Sequence, residues 1–173
     1  MITIITILLK KSGVLGAFVN QNHLHDLGKL LFAFTVFWAY IAFSQFMLIW
    51  YANLPEETVY FLTRLTPDWK NVSIAMAFIK FVLPFFFLIS RPVKRNENCL
   101  LFATIWIMGA QWLDVYWMVF PTFFDTPKFG FLEIGMFVGF LSIFALCVGK
   151  FLTRVLPVAI KDPLLLDGMH HHQ

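Results

Sequence analysis

Charge is scarce in this 173-residue chain. Asp, Glu, Lys and Arg make up 13% of it, against roughly 25% in soluble domains. The formal net charge is only +3. The basic residues stand at the ends of apolar runs and form no patch with interleaved stacking aromatics, so nucleic-acid binding is not expected. Cysteine is nearly absent: Cys99 and Cys147 fit no C-x-x-C-H haem attachment and no zinc or iron–sulfur cluster, and read as two buried apolar thiols. Histidine is missing from every apolar run. The five lie at His23, His25 and His170 to His172, so a bis-histidine haem inside the membrane has no ligands here. P-loop, dinucleotide glycine motif and nucleophile triad are absent too. Neither a soluble enzyme nor a haem-carrying anchor fits these gaps.

Apolar length fills the space. Hydrophobic residues make up 60% of the chain, 22 Phe among them, and mean hydropathy is +0.76. Crossing a bilayer takes ~20 apolar residues as a helix. Four runs meet that length: Leu27–Tyr51, Val72–Ser90, Cys99–Phe120 and Phe131–Leu152. The expected fold is an all-α integral membrane protein, with residues 23–152 forming a four-helix transmembrane bundle. Residues 1–22 form an N-terminal apolar segment and residues 153–173 a tail. Met1–Leu9 is too short to span; it reads as an interfacial segment or as the tail of an earlier span. Between spans one and two, Glu57–Leu65 has the makings of a short interfacial helix. His170 to His172 read as either a tag remnant or native sequence, and not as a metal site.

Lys and Arg fall unevenly about these runs. Lys10, Lys11, Lys29, Arg91, Lys94, Arg95, Lys150, Arg154 and Lys161 belong to one side; Arg64, Lys70 and Lys128 belong to the other. The positive-inside rule sends the larger group to the cytoplasm. Both termini are then expected there, with Glu56 and Glu57 outside.

Polar residues within such apolar helices are informative. Lys80 lies near the middle of span two, where a charge costs about 2.5–3.5 kcal/mol on insertion scales. Pro84, four residues on, cannot donate to the Lys80 carbonyl. Span three carries Thr104, Gln111 and Asp114 on one face. Gln45 on span one and Glu133 at the start of span four fall in the same outer half. Gln45, Lys80, Gln111, Asp114 and Glu133 therefore make a candidate polar pocket. Three readings stay open: a Lys80–Asp114 pair that fixes helix register, a proton path or polar lining beside a quinone headgroup, and snorkelling of Lys80. At the other mouth His23, His25 and Asp26 suit proton uptake near neutral pH, or form a polar N-terminus capped by Asp26 or Asn22. Gly135, Gly139 and Ser142 make a small-residue face suited to close helix packing.

Three segments carry a resemblance: HLHDLGK (His23–Lys29), FWAYIAFSQFMLIWYANLPEET (Phe37–Thr58) and QWLDVYW (Gln111–Trp117). Together with GAFVNQN before them and KDPLL (Lys161–Leu165) near the end, they resemble the F subunit of bacterial alternative complex III. That complex is a quinol:cytochrome c oxidoreductase, and its F subunit is related to the polysulfide-reductase (NrfD-type) membrane anchors. The resemblance implies a bacterial inner-membrane subunit that supports quinol oxidation and proton passage. It implies no haem or cluster bound directly, quinone nearby, and partners comprising a sister NrfD-type subunit with iron–sulfur and multihaem subunits. An architectural subunit that only docks these partners is the alternative. Family members have more helices, so the resemblance further implies that this chain corresponds to their C-terminal part.

Overall fold

The computed structural model describes residues 1–16, 18–155, 157–158, 163 and 165. These form helices joined by short turns, with no strand among the described residues. Helix α1 is Ile2–Lys11 and α2 is Gln21–Ala52. A short helix α3, Pro55–Arg64, precedes a span that begins as α4 (Pro67–Ala77), passes through a π-helical turn (Phe78–Val82) and ends as α5 (Leu83–Ile89). One further turn, α6 (Arg91–Arg95), leads into α7 (Glu97–Val119), and α8 is Phe131–Leu152. Four helical stretches are long and apolar enough to cross a membrane: Gln21–Ala52, Pro67–Ile89, Glu97–Thr122 and Phe131–Leu152. The chain is thus an all-α, multi-pass membrane protein.

Local chemistry sets most boundaries. Asn20 caps α2, its side-chain oxygen accepting from the N–H groups of Asn22 (2.8 Å) and His23 (3.1 Å). The expected caps, Asp26 and Asn22, lie inside the helix instead. Helix α2 therefore starts six residues before the apolar run, and His23 and His25 sit in its first turns. It ends at Asn53, which adopts the left-handed conformation (φ 47°) typical of a helix stop. Pro55 and Pro67 open α3 and α4, where a missing N–H costs nothing. The latter begins span two five residues before its apolar stretch. Asn96 caps α7 by accepting from Asn98 and Cys99.

A buried apolar cluster lies at the lysine-rich end. Ile7, Leu24, Leu88, Leu100 and Ala103 form it, drawn from α1, α2, α5 and α7. Helix α1 is part of this core. It runs antiparallel to α7, with Lys10 paired to Glu97 (2.8 Å) and Lys11 donating to Asn98 (2.7 Å) while Ile7 reaches Leu100. Helix α6 packs on α2 through a close contact at Gly28. A Cβ there would lie 2.7 Å from Lys94 Cγ and 2.9 Å from Lys94 Cβ. Replacing Gly28 by Ala is expected to push α6 off α2 and cost about 1–3 kcal/mol, as overpacking does; thermal unfolding of the purified protein in detergent measures it.

Helix α8 differs from the rest, having no buried residue. It meets α7 through Phe137 against Trp112, with ring centroids 5.3 Å apart. The small-residue face does not mediate close packing among the described residues: nothing lies within 4 Å of a Cβ added at Gly135 or Gly139. Of the two thiols, Cys99 is half-buried and Cys147 exposed, so the expectation of two buried thiols does not hold.

Candidate functional site

The mid-membrane site is built where α2, the π-helical turn and α7 meet. Lys80 and Asp114 are both 4% exposed, and the Lys80 ammonium contacts Asp114 Oδ2 directly. A third residue completes the group. Trp38 Nε1 on α2 donates to the same Asp114 oxygen at 3.2 Å, and Lys80 Nζ stands 4.4 Å from the Trp38 ring centroid. The indole thus satisfies the carboxylate with its edge and the ammonium with its face.

The π-helical turn bears on how Lys80 is presented. Within it, Leu83 N–H donates to the Phe78 carbonyl, five residues back. In an α-helical register Pro84 would leave the Lys80 carbonyl without a donor. In the π register the carbonyl opposite Pro84 is that of Ile79. Trp106 Nε1 on α7 donates to that carbonyl at 3.0 Å. The gap made by proline is therefore moved by one residue and filled from a neighbouring helix. Replacing Trp106 by Phe keeps an aromatic side chain but removes the donor. It is expected to cost about 1–3 kcal/mol, the penalty for a buried carbonyl left unpaired; thermal unfolding alongside Trp106→His, which retains a ring N–H, checks it.

Three cavities follow α2 past this group. One of about 610 Å³ lies at the α3 end and is lined by Gln45, Glu56, Glu57 and Tyr60, among others. The next, about 180 Å³, shares Gln45 and Tyr60 with it and reaches Ser73, Asp114 and Trp38. The third, about 350 Å³, lies across Trp38 and is lined by Lys80, Gln111 and Thr35 with apolar neighbours. Trp38 lines both inner cavities, one of them with Asp114 and the other with Lys80.

Gln45, Lys80, Gln111 and Asp114 thus gather around Trp38. Glu133 lies in a different groove between α7 and α8, with Trp112, Tyr116 and Phe137, in a space of about 370 Å³. Its carboxylate accepts from the Gly130 N–H at 2.7 Å and so caps α8. At the lysine-rich end His23, His25 and Asp26 each have their own surroundings. His23 Nδ1 accepts from the Asn20 N–H at 3.3 Å, Asp26 pairs with Lys29 at 3.0 Å, and His25 is buried with its Nδ1 unpartnered. His170 to His172 and Lys161 lie outside the described residues. No group of three or more His, Cys, Asp or Glu able to hold a metal occurs among the described residues.

Two residues with no part in the sequence reading of the site emerge here. Trp38 is one. Arg64 is the other: buried at the α3 end, it donates to the carbonyls of Tyr60 (2.7 Å) and Met118 (2.5 Å). Around it, Trp117 Nε1 donates to Ser73 Oγ at 2.7 Å, and that oxygen lies 2.8 Å from the Arg64 carbonyl.

Fold and site together define a multi-pass, all-α membrane protein, three of whose four spans are tied by a Lys–Asp–Trp cluster flanked by cavities. No protein-family model matches the chain, and no curated protein matches it.

Proposed function

We propose that this chain is a membrane subunit of a respiratory quinol:cytochrome c oxidoreductase of the alternative complex III type, supporting quinol oxidation and passing protons. The segments His23–Lys29, Phe37–Thr58 and Gln111–Trp117 support the family assignment. One observation carries the proton role: an ionisable pair at mid-membrane depth with a cavity on each side of it. Charged residues inside spans are costly and mark ion or proton pathways by default. On this reading Glu56 and Glu57 open the outward mouth. The lysine-rich end faces the cytoplasm of a bacterial inner membrane, both termini with it. Redox groups belong to the partners: a sister NrfD-type subunit and iron–sulfur and multihaem subunits. Quinol binds nearby.

Replacing Asp114 by Asn in the assembled complex tests the proton role. Turnover and proton release are expected to fall together; normal values of both in an intact complex sink it. Family membership is tested separately by the neighbouring genes, where the absence of a multihaem cytochrome overturns the assignment. A second reading, an architectural subunit that only docks the catalytic ones, has its own support in the direct Lys80–Asp114 contact. A closed pair held by an indole is a lock that fixes helix register.

A further inference from the structure

The lysine-rich end of the bundle carries charge that the described residues do not balance. Lys10 is matched by Glu97 and Lys29 by Asp26, while Lys11 donates to the neutral Asn98. Arg91, Lys94 and Arg95, all on α6, have no carboxylate within ion-pair distance among the described residues. Lys94 is fixed in place as well as unbalanced. It is 9% exposed, its stem lies under α2 at Gly28, and its Nζ is 5.6 Å from the Phe32 ring centroid. The ammonium therefore faces an aromatic ring one turn further along α2 from Gly28, and no carboxylate among the described residues. His25, buried with an unpartnered Nδ1, lies within electrostatic reach of Lys29, Lys94 and Arg95.

We propose that the junction of α2 and α6 binds the phosphate headgroup of an anionic phospholipid, with Arg91, Lys94 and Arg95 as its cationic contacts. Position and charge both point to a lipid. Helix α6 directly follows the Pro67–Ile89 span, which places its cations at headgroup depth. Phe86 and Ile89, in the last turns of that span, are exposed apolar surface of the kind acyl chains cover. A phosphate carries the charge the cluster lacks, and basic pockets at helix ends take such headgroups. Burial together with Lys29 and Arg91 lowers the Lys94 pKa, as expected where positive charges face one another uncompensated. The inference stands independently of any proton or quinol role.

Native mass spectrometry of the full chain in neutral detergent tests it, with phosphatidylglycerol and phosphatidylcholine of matched chains offered separately. Phosphatidylglycerol is expected to be retained at least about fivefold better, the factor worth one basic residue near a membrane surface. Arg95→Gln and Lys94→Met are each expected to lower that retention about fivefold. Lys128→Met, at the opposite end, leaves it unchanged. Arg95 is exposed, so its replacement does not endanger folding and the test survives even if Lys94→Met misfolds. Equal retention of the two lipids overturns the proposal. So does wild-type retention in Arg95→Gln, or full displacement of phosphatidylglycerol by equimolar inorganic phosphate, which makes the cluster a simple anion site.

Discussion

Replacing Asp114 by Ala is expected to destabilise the protein by about 3–5 kcal/mol, the largest single effect in the bundle. Two groups lose their partner at once. The Lys80 ammonium loses its only carboxylate among the described residues, and the Trp38 N–H loses its acceptor. Lys80 is 4% exposed within the π-helical turn, so its ammonium is left buried when the carboxylate goes. The pair is also asymmetric. Lys80→Met removes the ammonium but leaves Asp114 with the indole N–H, so it is expected to cost less than Asp114→Ala. The double replacement Lys80→Met with Asp114→Leu is expected to recover most of the loss, since an apolar pair of similar volume removes the burial cost of both charges. Thermal unfolding of the four proteins in detergent measures these differences. If Asp114→Ala lies within about 1 kcal/mol of wild type, Lys80 is not a buried ion and the cluster holds nothing together.

The double variant also separates the two functional readings. A register lock is replaceable by apolar side chains; a proton path is not. A double variant that is stable, assembles with its partners and turns over normally favours the architectural subunit. One that is stable and assembled but fails in proton release favours conduction. Stability and activity are thereby read from one set of proteins.

How far the sequence reaches can be judged residue by residue. The spans were legible because run length and charge are enough to locate a bilayer-crossing helix. The Lys80–Asp114 meeting was legible as one of three readings: two ionisable residues lie at similar depth in neighbouring spans, and each needs a partner. Trp38 was not legible. One indole in a Phe-rich run looks like any other aromatic until α2 is placed beside α7. The shift of the unpaired carbonyl from Lys80 to Ile79 was hidden for a related reason. Pro84 announces that a carbonyl is orphaned, but the choice between α and π register depends on which neighbour can donate, and that neighbour is Trp106, 27 positions away. Glu133 carried a signal that points elsewhere than a polar pocket. It stands three residues after Gly130, the spacing at which a glutamate reaches back to cap its own helix. His23 stands three residues after Asn20 in the same way.

Arg64 is where loop composition tells least, and its removal gives the second large effect. It follows Glu56 and Glu57 in a connection expected to hold a short interfacial helix, and it enters the sequence reading only as one charge in the orientation count. It is 2% exposed, with no carboxylate partner among the described residues. Its guanidinium lies 3.5 Å from the Tyr60 ring centroid and 5.1 Å from that of Trp117, and two of its N–H groups reach carbonyls. One of those carbonyls, Met118, belongs to the last turn of α7, where unpaired carbonyls concentrate partial negative charge and a cation is favourable. Burial lowers the Arg64 pKa from its usual value, but arginine keeps its proton even so. The residue is therefore a charged strut from α3 to the end of α7. Arg64→Met is expected to cost about 2–3 kcal/mol, on the scale of one charged hydrogen bond to a buried carbonyl. Arg64→Lys is expected to behave more like Met than like wild type, because an ammonium cannot span both carbonyls and lie flat on tyrosine. Thermal unfolding, with proteolysis between residues 53 and 66 as a local readout, measures both variants. A lysine variant as stable and as protected as wild type would show that charge alone suffices there and that the planar fork does not hold α3 to α7.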